Sequence, residues 1–342
     1  RDYHRLIARY ANEKDAAGAL AVLDEMSSKN VSIPLVVYNT AMAACVKHWQ
    51  IAVELLGTLE ARSVSPDTTT YLRTIQACEK THWQMAIGLI QRAKRQQQNQ
   101  GSEILNVAVY DVALRACKRT LQAKAAESLM IDMKDSGLEP GLESYLHTLG
   151  AFKRSFDWER ALGLFLELKA KQLRPDQKTY AAIIRAMEPS RQWEIVNGLL
   201  AEIESNGLLV DKSIWDSAIA VLHAGKQWPK ALDLYETMLK AGDVPALGSY
   251  NAAIHGCVRA NDWERGIDFF SHMLDNKVMP DSSTCNGVLA CCDQGACESQ
   301  AWKVVKFMRK HELSMGRLTY VHAITSLRNS VNWERAWSLI GE

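Results

Sequence analysis

Hydrophobic residues recur along this chain as pairs of short helical stripes. In one pair, Tyr145, Leu149 and Phe152 follow the spacing i, i+4 and i+7. The second stripe of that pair follows directly and consists of Trp158, Ala161, Leu162, Phe165 and Leu168. Apolar residues at these intervals fall on one face of an α-helix. Each pair of stripes therefore predicts two amphipathic helices joined by a turn.

The paired stripes repeat at a nearly constant interval. Each pair opens at an anchor position, which is occupied in turn by Tyr3, Tyr38, Tyr71, Tyr110, Tyr145, Tyr180, Trp215, Tyr250, Cys285 and Tyr320. Successive anchors are 35, 33 and 39 residues apart, and then 35 residues apart six times. The irregular intervals change length around residues 47–49 and 96–101, where loops are predicted. Because neither helix of a pair can bury its stripe alone, neighbouring repeats are predicted to stack into a continuous core.

Four further positions keep the phase of the anchor. Tryptophan lies 13 residues after it at Trp49 and Trp83, which fill the position in the irregular repeats, and at Trp158, Trp193, Trp228, Trp263 and Trp333. Alanine lies 16 residues after it at Ala19, Ala126, Ala161, Ala231, Ala301 and Ala336. Proline precedes the next anchor by five residues at Pro66, Pro140, Pro175, Pro245 and Pro280. A hydroxyl residue directly precedes the anchor at Thr70, Ser144, Thr179, Ser249, Thr284 and Thr319. The proline is predicted to stop the second helix, the hydroxyl to accept hydrogen bonds at the start of the first, and the tryptophan to separate helices in the core.

The repeat resembles a known family. Its first helix begins with Val36-Val37-Tyr38-Asn39-Thr40, a second helix reads Ala231-Leu232-Asp233-Leu234-Tyr235-Glu236-Thr237-Met238, and a repeat closes with Met279-Pro280-Asp281. These features resemble the pentatricopeptide repeat, and six intervals of 35 residues favour it over the 34-residue tetratricopeptide repeat. The resemblance implies an all-α fold, a right-handed α-solenoid superhelix of helix-turn-helix repeats. We expect a single array over residues 1–342, with repeats opening near residues 1, 35, 68, 107, 142, 177, 212, 247, 282 and 317, the last of them truncated.

The resemblance also implies a function. Members of the family bind single-stranded RNA, most often in a mitochondrion or plastid, where they act in RNA processing, stability or translation. The alternative is a scaffold in a ribonucleoprotein or protein complex that reads no base. The chain starts at Arg1 without a methionine, so we expect a fragment of a longer protein in which a targeting segment is not visible.

Two side chains per repeat read one base in this family: the residue after the anchor and the residue four before the next anchor. Only two repeats match a family code, Asn39 with Asp67 and Asn251 with Asp281, and both favour uracil. Asn286 stands in the next repeat without an acidic partner, because Gly316 fills that position. Leu146 and Ala181 cannot bind a base edge through their side chains, so the middle repeats are expected to tolerate any base. One base per repeat predicts the two uracils six nucleotides apart.

Net charge is only +1, from 40 Lys and Arg against 39 Asp and Glu, so any phosphate affinity must come from local clustering. Basic residues do cluster nine residues after the anchor, and this basic ladder consists of Lys47, Lys80, Arg119, Arg154 and Arg259. Lys118 and Lys153 reinforce it one residue earlier. Because equivalent positions of a solenoid align, the ladder is predicted to contact RNA phosphates.

Other chemistry has little support in the sequence. No stretch of 18 apolar residues is present that could span a membrane. The eight cysteines include no CxxC pair, and Cys45, Cys78, Cys117, Cys257 and Cys292 share one apolar helix position, which predicts core thiols rather than a metal site. HExxH, GxxxxGK[ST] and GxGxxG motifs are also missing. We therefore expect no catalytic residues, no metal and no cofactor.

Overall fold

The computed structural model describes residues 2–29, 31–46, 48–62, 64–80, 82–100 and 103–327. These residues form nineteen α-helices and one short 3-10 turn, and they contain no strand. The first helices of the repeats are α1 (Asp2–Glu13), α3 (Leu35–Ala44), α5 (Thr68–Cys78), α7 (Val107–Thr120), α9 (Leu142–Ala151), α11 (Gln177–Met187), α13 (Lys212–Ala224), α15 (Leu247–Ala260), α17 (Ser282–Gly295) and α19 (Arg317–Leu327). The second helices are α2 (Ala16–Ser28), α4 (Trp49–Ala61), α6 (Trp83–Gln100), α8 (Ala123–Asp135), α10 (Trp158–Ala170), α12 (Trp193–Ser205), α14 (Trp228–Lys240), α16 (Trp263–Asp275) and α18 (Glu298–Lys310). The predicted all-α repeat fold is confirmed.

The helices divide into two compact segments, Arg1–Pro175 and Asp176–Glu342. Within each segment the first helix of a repeat packs against the first helix of the next repeat, as α5 does against α7 and α15 against α17. Each second helix packs between its own first helix and the following one, as α16 does between α15 and α17. First helices thus form one layer of each segment and second helices the other.

The anchor side chains form the interior of each repeat. Tyr71, Tyr110, Tyr145, Tyr180 and Tyr250 are fully buried, and burying a large apolar side chain stabilises the fold by about 1.5–3 kcal/mol. A buried phenol also needs a hydrogen-bond partner. Tyr145 and Tyr180 donate from their hydroxyls to Glu167 and Glu202, at 2.8 and 2.9 Å, on the second helix of the same repeat. The anchor therefore joins both helices of a repeat through packing and a hydrogen bond.

The tryptophan position marks the junction between neighbouring repeats. Trp263 opens α16, is half-buried, and packs against Gly295 at the end of the next first helix, α17. Trp193 approaches Gly225 of the following repeat in the same way. The glycines leave room for the indole ring, so this position separates stacked helices as the sequence predicts. Trp333 and Ala336 lie outside the described residues.

The four-residue insertion is helical, and the prediction of a loop over residues 96–101 is wrong for residues 96–100. Helix α6 continues to Gln100, because glutamine is a good helix former and its amides find local partners. Tyr71 donates from its hydroxyl to Gln96 at 2.7 Å. The Gln97 side chain accepts from the backbone N–H groups of Ile104 and Leu105 at 3.2 and 3.1 Å.

The cysteines behave as core residues. All five thiols that share the apolar position are fully buried, and Cys285 and Cys291 join them, so that only Cys297 is partly accessible. Burial raises the pKa of Cys78 to about 11, which keeps that thiol protonated at neutral pH. Across the described part of the chain, no group of three or more His, Cys, Asp or Glu residues is placed to hold a metal ion. None of the described helices is long and apolar enough to cross a membrane.

Replacing Gly295 with alanine is expected to destabilise the C-terminal segment. A Cβ atom there would lie 2.3 Å from Cδ2 of Trp263, so the ring must move, and such overpacking costs about 1–3 kcal/mol. Gly198→Ala is the matched control: nothing lies within 4 Å of its Cβ, and an alanine in the middle of α12 should add about 0.5–1 kcal/mol. Urea denaturation followed by circular dichroism measures both changes. Equal midpoints for the two variants would contradict the packing described.

Candidate nucleic-acid interface

Two repeats place an asparagine, an aspartate and a threonine in one hydrogen-bonded cluster. In the N-terminal segment, Asn39 of α3 donates from Nδ2 to Oδ1 of Asp67 at 3.1 Å. Thr70 donates from Oγ1 to Oδ1 of the same asparagine at 2.7 Å. Asp67 is the N-cap of α5 and accepts from the Thr70 backbone N–H at 2.8 Å. We call this arrangement the Asn–Asp–Thr cluster.

The same cluster recurs in the C-terminal segment. Asn251 of α15 donates from Nδ2 to both carboxylate oxygens of Asp281, at 3.3 Å each. Thr284 donates from Oγ1 to Oδ1 of Asn251 at 2.6 Å, and its backbone N–H donates to Asp281 at 2.8 Å. The structure thus brings together both pairs that the sequence assigns to base reading. The threonine was not among the predicted site residues.

The electrostatics of the cluster keep the aspartate ionised. Burial alone would raise the pKa of the Asp281 carboxyl, but hydrogen bonds from the Thr284 backbone and hydroxyl and from Asn251 outweigh it and hold the pKa below its usual range. A carboxylate at this point can only accept, so it must face the NH₂ end of the asparagine amide. The orientation of the Asn251 amide follows from this chemistry.

The aspartate position also has a purely structural role. It is the N-cap of the next first helix, and Asp176 and Asp211 occupy it where the side chain accepts from backbone N–H groups of α11 and α13. Ala181, which the family code would pair with Asp211, has no hydrogen-bonding side chain. An aspartate here is therefore favoured as a helix cap whether or not it assists in reading a base.

The hydroxyl before the anchor is the third residue of the first helix and not its N-cap. The prediction that it begins the helix is corrected in this respect, because the N-cap lies three residues earlier at Asp67 and Asp281. The hydroxyl does accept one terminal N–H group: the backbone N–H of Asp67 donates to Thr70 at 3.3 Å. Its proton is then available to a second partner.

Asn286 retains half of the cluster. It lies on α17, and Thr319 of α19 donates to its Oδ1 at 2.6 Å. The backbone N–H of Gly316 donates to the same hydroxyl at 3.1 Å. Gly316 supplies no carboxylate, so in this repeat only the threonine side of the cluster is present.

The basic ladder divides into exposed and ion-paired members. Lys80, Lys153, Arg154 and Arg259 are exposed, the first three after the ends of α5 and α9 and the last in the final turn of α15. Arg119 is also exposed, but its Nε lies 2.8 Å from Oε1 of Glu79. Lys118 lays its aliphatic chain over Gly150 and is half-buried. Lys47 lies outside the described residues.

Glu79 changes the charge of the ladder in a way that the spacing did not predict. It pairs with Arg119 and also with Arg115, whose Nη2 lies 2.7 Å from its Oε2. Two cations therefore share one anion at this point of the N-terminal segment. Among the residues that the structure describes, Lys80, Arg154 and Arg259 have no such carboxylate partner.

His147 lies next to this group of charges. Burial, followed by the positive charges of Lys118 and Arg115, lowers the pKa of His147 to about 4. Its Nε2 lies 3.5 Å from Oε2 of Glu143, one turn earlier on α9. The imidazole is therefore neutral at physiological pH.

Comparison with known sequences gives matches to repeat families. A model described as the PPR repeat family matches residues 245–294. A second, the Pentatricopeptide repeat domain, matches residues 1–48 and 128–189. A pentatricopeptide repeat-containing protein of Arabidopsis thaliana, At3g29290, is 27% identical over 30% of this chain and 24% of its own length. The chain thus spans about a quarter of that relative.

Solved structures show the same fold. The pentatricopeptide repeat protein PPR10 in complex with an 18-nt psaJ RNA element superposes with a TM-score of 0.56 at 17% identity, over 99% of this chain and 54% of that one. A cysteine-to-serine variant of PPR10 with the same RNA gives the same values. The chain spans about half of the length of these structures, and a likeness at this identity establishes the fold.

Acidification is expected to destabilise the protein through His147. Its pKa in the fold, about 4, lies below the ordinary value near 6.5, so the unfolded chain binds the proton first. The contribution of His147 to stability is intact above pH 6.5 and is lost as the pH falls from about 6.5 to about 4. Urea denaturation at several pH values should show a smaller loss over this window for His147→Gln than for the wild-type chain. Equal losses would contradict the buried neutral imidazole.

Proposed function

The chain is a pentatricopeptide-repeat protein, and from that premise we propose that it binds single-stranded RNA and reads uracil at a small number of repeats. The observation that carries the proposal is the Asn–Asp–Thr cluster, which recurs with the same partners at Asn39 and Asn251. PPR10, which has the same fold, was solved with RNA, and this supports RNA as the ligand class.

The hydrogen-bonding capacity that remains in the cluster fits uracil. The Asn251 amide donates one N–H to Asp281 and accepts one hydrogen bond from Thr284. One N–H and one lone pair remain, since an amide has two donors and an acceptor oxygen with two lone pairs. The Watson–Crick edge of uracil offers a carbonyl acceptor beside the N3–H donor and so complements both. RNA-binding modules of this kind read single-stranded bases through such edges.

Phosphate contacts come from the exposed ladder residues. Lys80, Arg154 and Arg259, with Lys153 beside them, supply cations without a carboxylate partner among the described residues. Arg119 contributes once a phosphate replaces Glu79, because an exposed ion pair is worth no more than about 1 kcal/mol. This local charge compensates for a net charge of only +1.

We place the protein in a mitochondrion or plastid, with a role in RNA processing, stability or translation and without catalytic residues of its own. The family resemblance supports this placement, as does a relative in Arabidopsis thaliana. A scaffold in a ribonucleoprotein complex is the second candidate. Apolar residues such as Leu146 and Ala181 in the base-reading position favour it, because they are buried and offer no hydrogen bond.

Selection from a randomised single-stranded RNA pool tests the proposal. Retained RNAs should be enriched in uracil at one position, with a pyrimidine preference at its neighbour, because Asn251 and Asn286 belong to consecutive repeats. Retained RNAs without uracil enrichment would favour the scaffold.

Changing Asn251 to threonine is expected to move one base preference from uracil toward guanine. In this family threonine paired with aspartate reads guanine, and Asp281 remains in place. A good base contact is worth about 1–3 kcal/mol on the scale measured for DNA. The preference at the position read by Asn39 should stay unchanged, which makes that position an internal control. Binding of single-base oligonucleotide variants measures both, and an unshifted preference would show that this repeat does not use the family code.

Charge changes on the ladder are expected to alter affinity in opposite directions. Lys80→Gln and Arg154→Gln should weaken binding of all sequences and reduce the slope of the salt dependence by about 0.7 for each phosphate that is no longer neutralised. Glu79→Gln should strengthen binding and steepen the salt dependence, because it releases Arg115 and Arg119.

The control for this series is Glu127→Gln. It makes the same change of net charge and releases Arg160, but both residues lie on second helices, α8 and α10, away from the ladder. If Glu127→Gln strengthens RNA binding as much as Glu79→Gln does, net charge and not the ladder governs affinity.

A further inference from the structure

A buried hydroxyl contacts the base-reading position of the preceding repeat in five places. Thr70, Thr284 and Thr319 donate to the Oδ1 atoms of Asn39, Asn251 and Asn286 at 2.7, 2.6 and 2.6 Å. Two serines make the equivalent contact with aspartates, Ser144 with Asp111 and Ser249 with Asp216. Every described hydroxyl at this position that follows a polar side chain in the preceding repeat donates to it.

Helix capping does not explain this contact. The first helices α9 and α15 have Gly141 and Ala246 as N-caps, neither of which has a side-chain cap, yet Ser144 and Ser249 still donate to the preceding repeat. Gly316 likewise has no side chain, and Thr319 still donates to Asn286. The hydroxyl therefore recognises the base-reading position itself.

The direction of the hydrogen bond is set by the backbone. The hydroxyl oxygens of Thr284 and Thr319 accept the backbone N–H groups of Asp281 and Gly316 at 3.2 and 3.1 Å. A hydroxyl that accepts there still has its own proton to donate. The acceptor in each case is the oxygen end of an asparagine amide, so the NH₂ end must point the other way.

The hydroxyl cannot reach RNA itself. Thr70, Thr284 and Thr319 are fully buried, whereas Asn39, Asn251 and Asn286 are half-buried and present part of their amides to solvent. Any effect of the threonine on base preference must act through the asparagine.

We propose that Thr70, Thr284 and Thr319 are positioning residues that hold the asparagine amide in the orientation that selects uracil over cytosine. The inference rests on the proposed RNA binding and deepens it. Uracil and cytosine differ in hydrogen-bonding pattern, since uracil offers an N3–H donor and a carbonyl at C4, and cytosine an N3 acceptor and an amino group. An amide turned by 180° exchanges its donor and acceptor ends and so fits the other base.

The three repeats should depend on the hydroxyl to different degrees. At Asn39 and Asn251 an aspartate also holds the NH₂ end, so two groups define the orientation. At Asn286 only Thr319 is present, because Gly316 has no carboxylate. Loss of the hydroxyl should therefore have its largest effect at Asn286.

The test uses the full chain and single-stranded oligonucleotides of the sequence retained from the random pool. Thr284→Val and Thr319→Val remove the hydroxyl and keep the shape, and binding is compared for uracil and cytosine at the two adjacent positions. The ratio of uracil to cytosine affinity at the Asn286 position should fall by about fivefold or more in Thr319→Val, the lower end of the scale for one base contact. A smaller fall is expected at the Asn251 position in Thr284→Val.

Two controls separate positioning from stability. Thr179→Val removes an equally buried hydroxyl that donates to Asp176 at 2.6 Å, but the preceding repeat has Leu146 at the base-reading position, so base preference should not change. Thr284→Ser and Thr319→Ser keep the hydroxyl and should restore the wild-type ratio. Melting temperatures of all variants report the loss of stability alone.

The outcomes are distinguishable. A wild-type uracil preference that survives in both valine variants would overturn the positioning role and leave the proposed function intact. Serine variants that behave like the valine variants would also overturn it. A wild-type chain that binds RNA without any uracil preference, or binds none, would overturn the proposed base reading and this inference together.

Discussion

The burial of the anchor side chain is the constraint on which the rest of the structure depends. A repeat of two amphipathic helices has one apolar face too many to bury alone, so it is stable only between neighbours. The anchor phenol packs in the interior while its hydroxyl reaches the second helix, as in Tyr145 with Glu167. Because the next anchor must meet the same geometry, its distance along the chain is held near 35 residues. Changes of length are accepted only between helices or by extending one, as in α6.

This constraint makes the base-reading positions a product of the helix start. The residue after the anchor lies on the first turns of a first helix, and the residue four before the next anchor caps the following one. Stacking brings the two within hydrogen-bonding distance, at 3.1 Å for Asn39 and Asp67. The pair is thus created by packing that would exist without RNA. Only the identity of the two side chains decides whether a repeat can recognise a base.

The sequence predicted the fold closely because the signals agree at every level. Anchor spacing, tryptophan and proline recur in one phase, and the helices follow it, with second helices opening at Trp158, Trp193, Trp228 and Trp263. The juxtaposition of Asn251 and Asp281 could be predicted only through the family resemblance, since the two lie 30 residues apart. The role of Thr284 was missed because a hydroxyl near a helix start has an ordinary explanation as a cap. A signal existed: the hydroxyl also recurs at Ser144 and Ser249, where no acidic cap precedes it.

The basic ladder shows the limit of counting charges along a sequence. Arg119 fills the same position as Lys80 and Arg154, and nothing in its spacing distinguishes it. Glu79 is one residue before Lys80, yet its carboxylate pairs with Arg115 and Arg119 of the next repeat. In a stacked array the residue 35 positions away is as near as the residue one turn away, so the charge of a repeat includes that of its neighbour. A near-neutral chain can then present separate cations at some repeats and compensated ones at others, and affinity for phosphate is set by this distribution more than by net charge.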